Sequence, residues 1–436
     1  MLNDSTGIHK DLLARHRAVL PSWMSLYYDE PISIVNGDGR YVWDAEGNQY
    51  LDFFGGILVT MSGYNIPEII DAIKTQAEKM LHTSTLYLIE SQIELAEKIA
   101  ELSEIPNAKV FFTNSGSEAN DAALMMASMH RGSNQILAMR GSYHGRSHST
   151  IGVTGNRSWS PTQSSPFHTV YVHGSYPYRS PFSHLEEQRY IEAAVQDLRD
   201  LLSIAVSGPA ACLIVEPIQG LSGFSTPPDG LFKAFKEVLD EEEILFISDE
   251  VQTGWGRTGE YFWGYQAHGI TPDILTFAKG IGNGLAISGV VGKAELIDTI
   301  STNSISTFGG NPLATAGALA NLDYALEHNL QSNAAKIGQQ LMVGLTDLSR
   351  DLPAIGEVRG KGLMIGIEFV TPGTKNPDAN ISARVMEETK KRGLLVGKGG
   401  LYSNAIRIAP PLSLTKAEAM EGLQIMSNAI RHATSC

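Results

Sequence analysis

The chain of 436 residues is poor in cysteine, with only Cys212 and Cys436. Two thiols make no disulfide framework, so a small, disulfide-stapled secreted scaffold is excluded. Cys212 lies in the apolar run Ala211-Cys212-Leu213-Ile214-Val215 and reads as an inert buried thiol, whereas Cys436 reads as exposed. Positive charge is also short: 33 Lys and Arg face 47 Asp and Glu, a formal net charge of −14. That deficit argues against nucleic-acid or anionic-membrane binding, both of which need basic patches. No stretch reaches the ~18 uncharged apolar residues of a membrane span. Met1-Leu2-Asn3-Asp4-Ser5 offers neither the basic nor the apolar region of a secretory signal. Internal repeats and low-complexity tracts are lacking. Together these absences predict a soluble protein of a reducing, cytoplasmic compartment.

What the chain has is core material: 43% hydrophobic and 18% charged residues, at a length that suits two to three domains. Seven short apolar runs punctuate its middle, at Val110–Phe112, Gln135–Met139, Thr169–Val172, Cys212–Val215, Ile244–Ile247, Ile274–Phe277 and Ser288–Val291. Continuous rather than alternating apolar runs suit strands buried on both faces of a mostly parallel sheet. Helical stretches between them, such as Glu118–Met129 and Leu231–Glu242, make this a three-layer α/β unit. Residues 30–55 read as a small antiparallel unit with turns at Asn36–Gly39 and Ala45–Asn48. Beyond about 330 follow a long helix, a strand Leu363–Phe369, a helix ending in Lys390-Lys391-Arg392-Gly393, a strand Ala405–Ile408 and a last helix. The predicted division is a large α/β domain over 60–325, with 1–59 and 326–436 forming one smaller α+β domain. The segment 155–190, rich in Ser, Pro, Tyr and His, reads as a surface excursion.

Ligands of an open parallel sheet sit at the carboxyl ends of its strands. Polar residues end several of the runs: Asn114-Ser115-Gly116-Ser117-Glu118, Tyr143-His144-Gly145-Arg146, Glu216, Asp249-Glu250 and Lys279-Gly280. Ser115-Gly116-Ser117 opens a helix, where free N–H groups and partial positive charge favour a phosphate. The same residues also read as a plain N-cap, Ser115 with Glu118 three residues on. Asp249 ends a buried run, so its carboxylate needs a partner, either a protonated heterocycle nitrogen or a basic side chain. Lys279 ends another; desolvation there lowers its pKa and makes it a nucleophile for carbonyls, while a snorkelling lysine is the plainer alternative. The glycine pattern Gly254-Trp255-Gly256-Arg257-Thr258-Gly259 has no helix signal after it and does not start at a strand end, which weighs against a nicotinamide site. A phosphate cup, an acid for a pyridine nitrogen and a Schiff-base lysine are together what pyridoxal phosphate requires.

These residues resemble the class-III (omega) aminotransferases, a fold-type-I pyridoxal-phosphate family. The matching segments are Tyr50–Phe53, Asn114–Asn120, Tyr143–Arg146, Glu216–Gly220, Asp249–Gly254, Ala278–Gly280 and Thr307–Pro312, in order from about residue 15 onward. The resemblance implies a seven-stranded, mostly parallel sheet between helices, with a smaller α+β domain. It implies that Lys279 binds the cofactor aldehyde and then moves the proton. Asp249 pairs with the pyridine nitrogen. Gly116 and Ser117 hold the phosphate, and Thr307 reaches it from the partner subunit, so the unit is a homodimer, itself able to pair into a tetramer. Tyr143 and Val251 face the two sides of the ring, Gln252 lies near the phenolic oxygen, and Ser115 and His144 complete the cofactor set. No metal is implied.

For substrates, Arg407 resembles the arginine that grips the α-carboxylate of a keto acid, and a planar guanidinium suits that bidentate pair. Glu216 resembles its gate, and Arg146 resembles the clamp for the far carboxylate of 4-aminobutyrate or ornithine. Leu394–Gly400, Thr83–Thr85 and Tyr261–Gln266 look more like the alanine–glyoxylate type 2 and phospholyase branch. Gly63–Pro67, Gly284–Ile287 and Leu221–Phe224 depart from the common pattern at the pocket's border. The implied activity is amino transfer from an omega-amino acid or alanine to 2-oxoglutarate, pyruvate or glyoxylate. Decarboxylation, phospho-amine elimination, racemisation and aminomutation are the rival reactions of the same cofactor.

Overall fold

Alternate residues of one strand face two different hydrophobic clusters, and this sets the architecture. Cys212 and Ile214 pack with Ala119, Ala123 and Ala127 of the helix Gly116–Arg131. Leu213 and Val215 pack with Leu198 of Glu187–Ile204 and with Phe232 and Phe235 of Leu231–Glu241. A strand apolar on both faces must lie between two helical layers.

The computed structural model describes residues 5–162 and 164–435. Met1–Asp4 and Cys436 therefore lie outside the described residues, and with them the expectations of an absent signal and an exposed C-terminal thiol. The seven strands are β1 (Ala108–Thr113), β2 (Gln135–Met139), β3 (His168–Val172), β4 (Cys212–Val215), β5 (Leu245–Asp249), β6 (Ile274–Phe277) and β7 (Ser288–Lys293). They form one sheet in the order β1-β7-β6-β5-β4-β2-β3. Only β7 runs against its neighbours, β1 and β6; the other pairings are parallel.

Two smaller sheets flank it. Ile34–Asp38, Tyr41–Asp44 and Gln49–Asp52 form an antiparallel meander, and Leu394–Leu395 adds a parallel strand beside Leu51 and Asp52. Ile355–Lys361, Met364–Phe369, Ala405–Ile408 and Gly397–Gly399 form an antiparallel sheet of four strands. Helices Leu330–Asp351, Ala379–Lys391 and Lys416–Thr434 belong to the same part of the chain.

Three expectations need correction. The first hairpin turns at Gly39 and Arg40, with Asn36 to Asp38 inside the strand, because Gly39 takes a φ of +56°. The segment 155–190 is no mere surface excursion: it contains sheet strand β3, and Tyr176 within it is buried. The strand Ile355–Lys361 has no counterpart in the apolar pattern, since Glu357, Arg359 and Lys361 give it a charged face. Among the described residues no helix is long and apolar enough to cross a membrane.

Candidate active site

β5 ends on Asp249, and its carboxylate is almost wholly buried. Oδ2 lies 2.8 Å from His144 Nδ1 and accepts from Asn120 Nδ2 at 2.7 Å. Oδ1 accepts from the Val251 N–H at 3.2 Å and keeps further acceptor capacity. Asn120 is itself oriented, because Thr276 donates to its Oδ1 at 2.6 Å and its Nδ2 also reaches the His144 carbonyl. Asn120 and His144 thus act together to hold the acid. Asn120 sits one helical turn after Gly116, on the same face, and that spacing is the signal the sequence offers for it.

The helix Gly116–Arg131 begins directly beyond β1. Ser115 is its N-cap: its Oγ accepts from the Glu118 N–H at 3.2 Å. The plain capping reading of Ser115 is therefore correct, although Glu118 answers to the Asn114 N–H rather than to Ser115. The first N–H groups of a helix lack intrahelical acceptors, so those of Gly116 and Ser117 face outward from the helix end. Gly116 allows a close approach: a Cβ there would stand 3.1 Å from Val251 Cγ2 and 3.6 Å from Ala278 Cβ. Ser117 Oγ accepts from the Arg146 N–H.

Lys279 follows β6 at the start of a short turn, Lys279–Gly282, with a φ of +50°. Lysine rarely adopts this left-handed conformation, and such strain concentrates at functional positions. Asn321 clamps the turn, donating to the carbonyls of Gly280 and Ile281, both at 2.9 Å. Burial, and then the nearby Arg407 cation, push the Lys279 amine down to about 8, against the pull of Asp249 and Glu216. Lys279, Asp249, Glu216 and Arg407 therefore share one electrostatic environment.

Glu216 follows β4 and is buried. Its carboxylate accepts from the N–H groups of Tyr143 and Gly220, both at 2.8 Å. Burial pushes it up to about 7, and Asp249 adds to the rise. Arg407, also buried, donates to the Lys398 carbonyl at 3.0 Å and the Gly220 carbonyl at 3.3 Å. Its guanidinium lies 5.0 Å from the Phe54 ring centre and 5.6 Å from that of Phe224. Burial lowers its pKa, opposed by Tyr27 and Glu216.

Other expected residues sit further out. Tyr143 is half-buried against the Trp159 ring. Among the described residues the buried Gln252 Oε1 has no partner, and neither has the buried His144 Nε2. Arg146 is exposed, with Trp23 beneath its guanidinium at 5.3 Å. Thr307 is exposed beside Ser306, which bridges Asn114 and Glu118. The glycine pattern at 254–259 forms turns, and Arg257 within it is buried, donating to the carbonyls of Leu363 and Pro410.

These features fit pyridoxal phosphate: an amine held partly neutral, a buried carboxylate with open acceptor capacity, a helix N-terminus at a glycine cradle, and a Gln252 side-chain amide not fully satisfied. The sequence profile of the class-III aminotransferases matches residues 25–430. The chain belongs to that family. It is a pyridoxal-phosphate-dependent transaminase of the fold-type-I architecture. This aminotransferase is 38% identical over 421 residues to alanine–glyoxylate aminotransferase 2 homolog 2, mitochondrial, of Arabidopsis thaliana, covering 95% of this chain and 86% of the relative. It is 35% identical to the alanine/serine racemase of Pyrococcus horikoshii, over 97% of this chain and 90% of that protein. Among solved structures, a thermostable (S)-enantioselective omega-transaminase from Thermomicrobium roseum superposes with a TM-score of 0.90 at 33% identity, covering 97% and 98% of the two chains.

Proposed function

We propose that this aminotransferase takes an amino group from an omega-amino acid of the 4-aminobutyrate or β-alanine type, or from alanine, and gives it to a keto acid in two half-reactions. The acceptor is 2-oxoglutarate, pyruvate or glyoxylate. The observation that carries this reading is Arg407: a buried guanidinium whose partners are backbone carbonyls and the Tyr27 hydroxyl, with no carboxylate in ion-pair contact among the described residues. A buried cation calls for an anion, and the α-carboxylate of an amino or keto acid supplies a planar one close to Lys279.

Pyridoxal phosphate, when bound, supplies the aldehyde that carries the amino group and a ring nitrogen that withdraws electrons from the substrate. In this reading Lys279 Nζ would hold the aldehyde and would then move the proton at the substrate carbon. Asp249, held by His144 and Asn120, keeps the ring nitrogen protonated. The Gly116 and Ser117 N–H groups receive the phosphate. Tyr143 and Val251 would bound the ring, and the Gln252 side-chain amide would donate to the phenolic oxygen. Glu216 balances Arg407 when the substrate lacks an α-carboxylate, and Arg146 grips a distal one.

The working unit we propose is a homodimer in the cytoplasm. Leu86, Tyr87 and Leu88 are 73%, 70% and 93% exposed, and Phe308, next to Thr307, is 61% exposed. So large an apolar surface beside a proposed phosphate contact suits a second copy of the chain. The racemase relative favours racemisation as the second reading. Incubating purified protein with alanine and either 2-oxoglutarate or glyoxylate separates the two: stoichiometric consumption of the keto acid marks transamination, and D-alanine without it marks racemisation. Lys279→Ala is expected to abolish turnover and the visible absorption of the bound vitamer with the fold intact; retained turnover defeats the assignment.

A further inference from the structure

Arg359 leaves the strand Ile355–Lys361 to grip the loop that follows β4. Its Nε donates to the Gly223 carbonyl at 3.0 Å, and its Nη2 donates to the Ser222 carbonyl at 3.2 Å. On its other side Nη1 meets Glu368 Oε2 at 2.5 Å and also pairs with Glu357. Nη2 donates to the Tyr176 hydroxyl at 3.3 Å, and that hydroxyl in turn donates to Glu368. Glu357 and Glu368 together balance Arg359 and Arg179, which also pairs with Glu368, so Arg359 acts on the loop by geometry rather than by net charge. The loop is pressed hard onto this sheet: a Cβ on Gly366 would stand 2.1 Å from the Gly223 carbonyl oxygen.

The same loop starts at Gly220, whose carbonyl accepts from Arg407 and whose N–H donates to Glu216. Between the two arginines the loop is pinned once more, where the Gly400 N–H donates to the Leu221 carbonyl at 2.9 Å. A single short turn, 220–223, thus has one buried guanidinium at each end. We infer that Arg359 is a positioning residue for Arg407: its planar fork fixes the turn and thereby the direction in which Arg407 presents its free edge to a carboxylate. The inference rests on the reading that Arg407 binds the substrate α-carboxylate.

The test is Arg359→Lys, whose ammonium still answers Glu368 but does not hold two carbonyls in one fork. With 1-phenylethylamine as donor, KM is measured for the best acceptor among pyruvate, glyoxylate and 2-oxoglutarate, and for butanal, which has no carboxylate. Calorimetry gives the Kd of propionate, an unreactive carboxylate. The expected result is a rise of about tenfold in the keto-acid KM and the propionate Kd, with the butanal KM moving several-fold less. In an Arg407→Ala background, Arg359→Lys should then add almost nothing. Equal changes for keto acid and butanal, or effects of the two substitutions that simply multiply, overturn the inference. If Arg359→Lys does not fold, Tyr176→Phe carries the same comparison with a smaller expected rise. Failure of the unmodified enzyme to use any of the keto acids or to bind propionate defeats the parent reading, and with it this one.

Discussion

Glu216 and Arg407 attach to the two peptide groups that flank the Gly220 Cα and make no direct ion pair: Gly220 gives its N–H to the carboxylate and its carbonyl to the guanidinium. Both groups are buried, and both are displaced from their ordinary pKa values by that burial. In this arrangement the acid is occupied by backbone donors and the cation keeps a free edge. For Glu216 to neutralise Arg407 directly, it must give up the N–H groups of Tyr143 and Gly220. Those two bonds set the cost of switching between substrates with and without an α-carboxylate.

The raised pKa of Glu216 makes a prediction about stability against pH. A buried carboxyl pushed up from 4.5 to about 7 favours the fold while it is protonated. That contribution is complete below 4.5 and is lost as pH rises through about 7, at roughly 1.4 kcal/mol for each pH unit between the two values. Glu216→Gln removes the titration. Melting curves of the two proteins should therefore show a difference that changes between pH 4.5 and 7 and stays flat above; a constant difference across that window refutes the assignment.

Arg146 is expected to discriminate by the far end of the substrate. Its side chain is exposed and lies over Trp23, so it is accessible to a carboxylate at the pocket mouth. Arg146→Ala should raise KM for 4-aminobutyrate about tenfold while leaving that for 1-phenylethylamine within a factor of about two. Steady-state kinetics with both donors decide the point, and parallel changes would mean that Arg146 clamps nothing.

A double substitution tests the shared site. Tyr87→Glu together with Leu88→Glu places two charges in the exposed apolar surface beside Phe308. Light scattering should report half the mass of the unmodified protein, with activity falling in step because Thr307 no longer reaches a neighbour. A variant that stays dimeric, or a monomer that keeps full activity, contradicts the jointly built site.

Much of the site is legible in the sequence because its chemistry sits where strands stop. Asp249 and Lys279 each follow a mostly apolar run, and a charged residue in that position is conspicuous. The seven strands are legible for the same reason, since burial on both faces leaves no alternation to confuse. Arg359 is hidden because its strand carries Glu357, Arg359 and Lys361, which look like a solvated face until Glu368 and the 222–223 carbonyls are seen to meet them. The left-handed backbone of Lys279 is equally invisible: nothing in a lysine signals a φ of +50°. Thr307 and Arg146 are named from resemblance alone. Both are exposed in this chain, and no burial pattern in the sequence marks either.

The parallel pairing of Leu394–Leu395 with Leu51–Asp52 has a consequence for folding. Leu51 donates its N–H to the Gly393 carbonyl, Phe53 donates to Leu395, and Ala409 donates back to Phe53. The meander thus stays unpaired along one edge until a segment far along the chain joins it. Until then the chain exposes an open strand, a ready template for wrong partners. Closing the seam brings Phe54 beneath Arg407. The contact between Phe54 and Arg407 therefore depends on a segment remote in sequence from the meander.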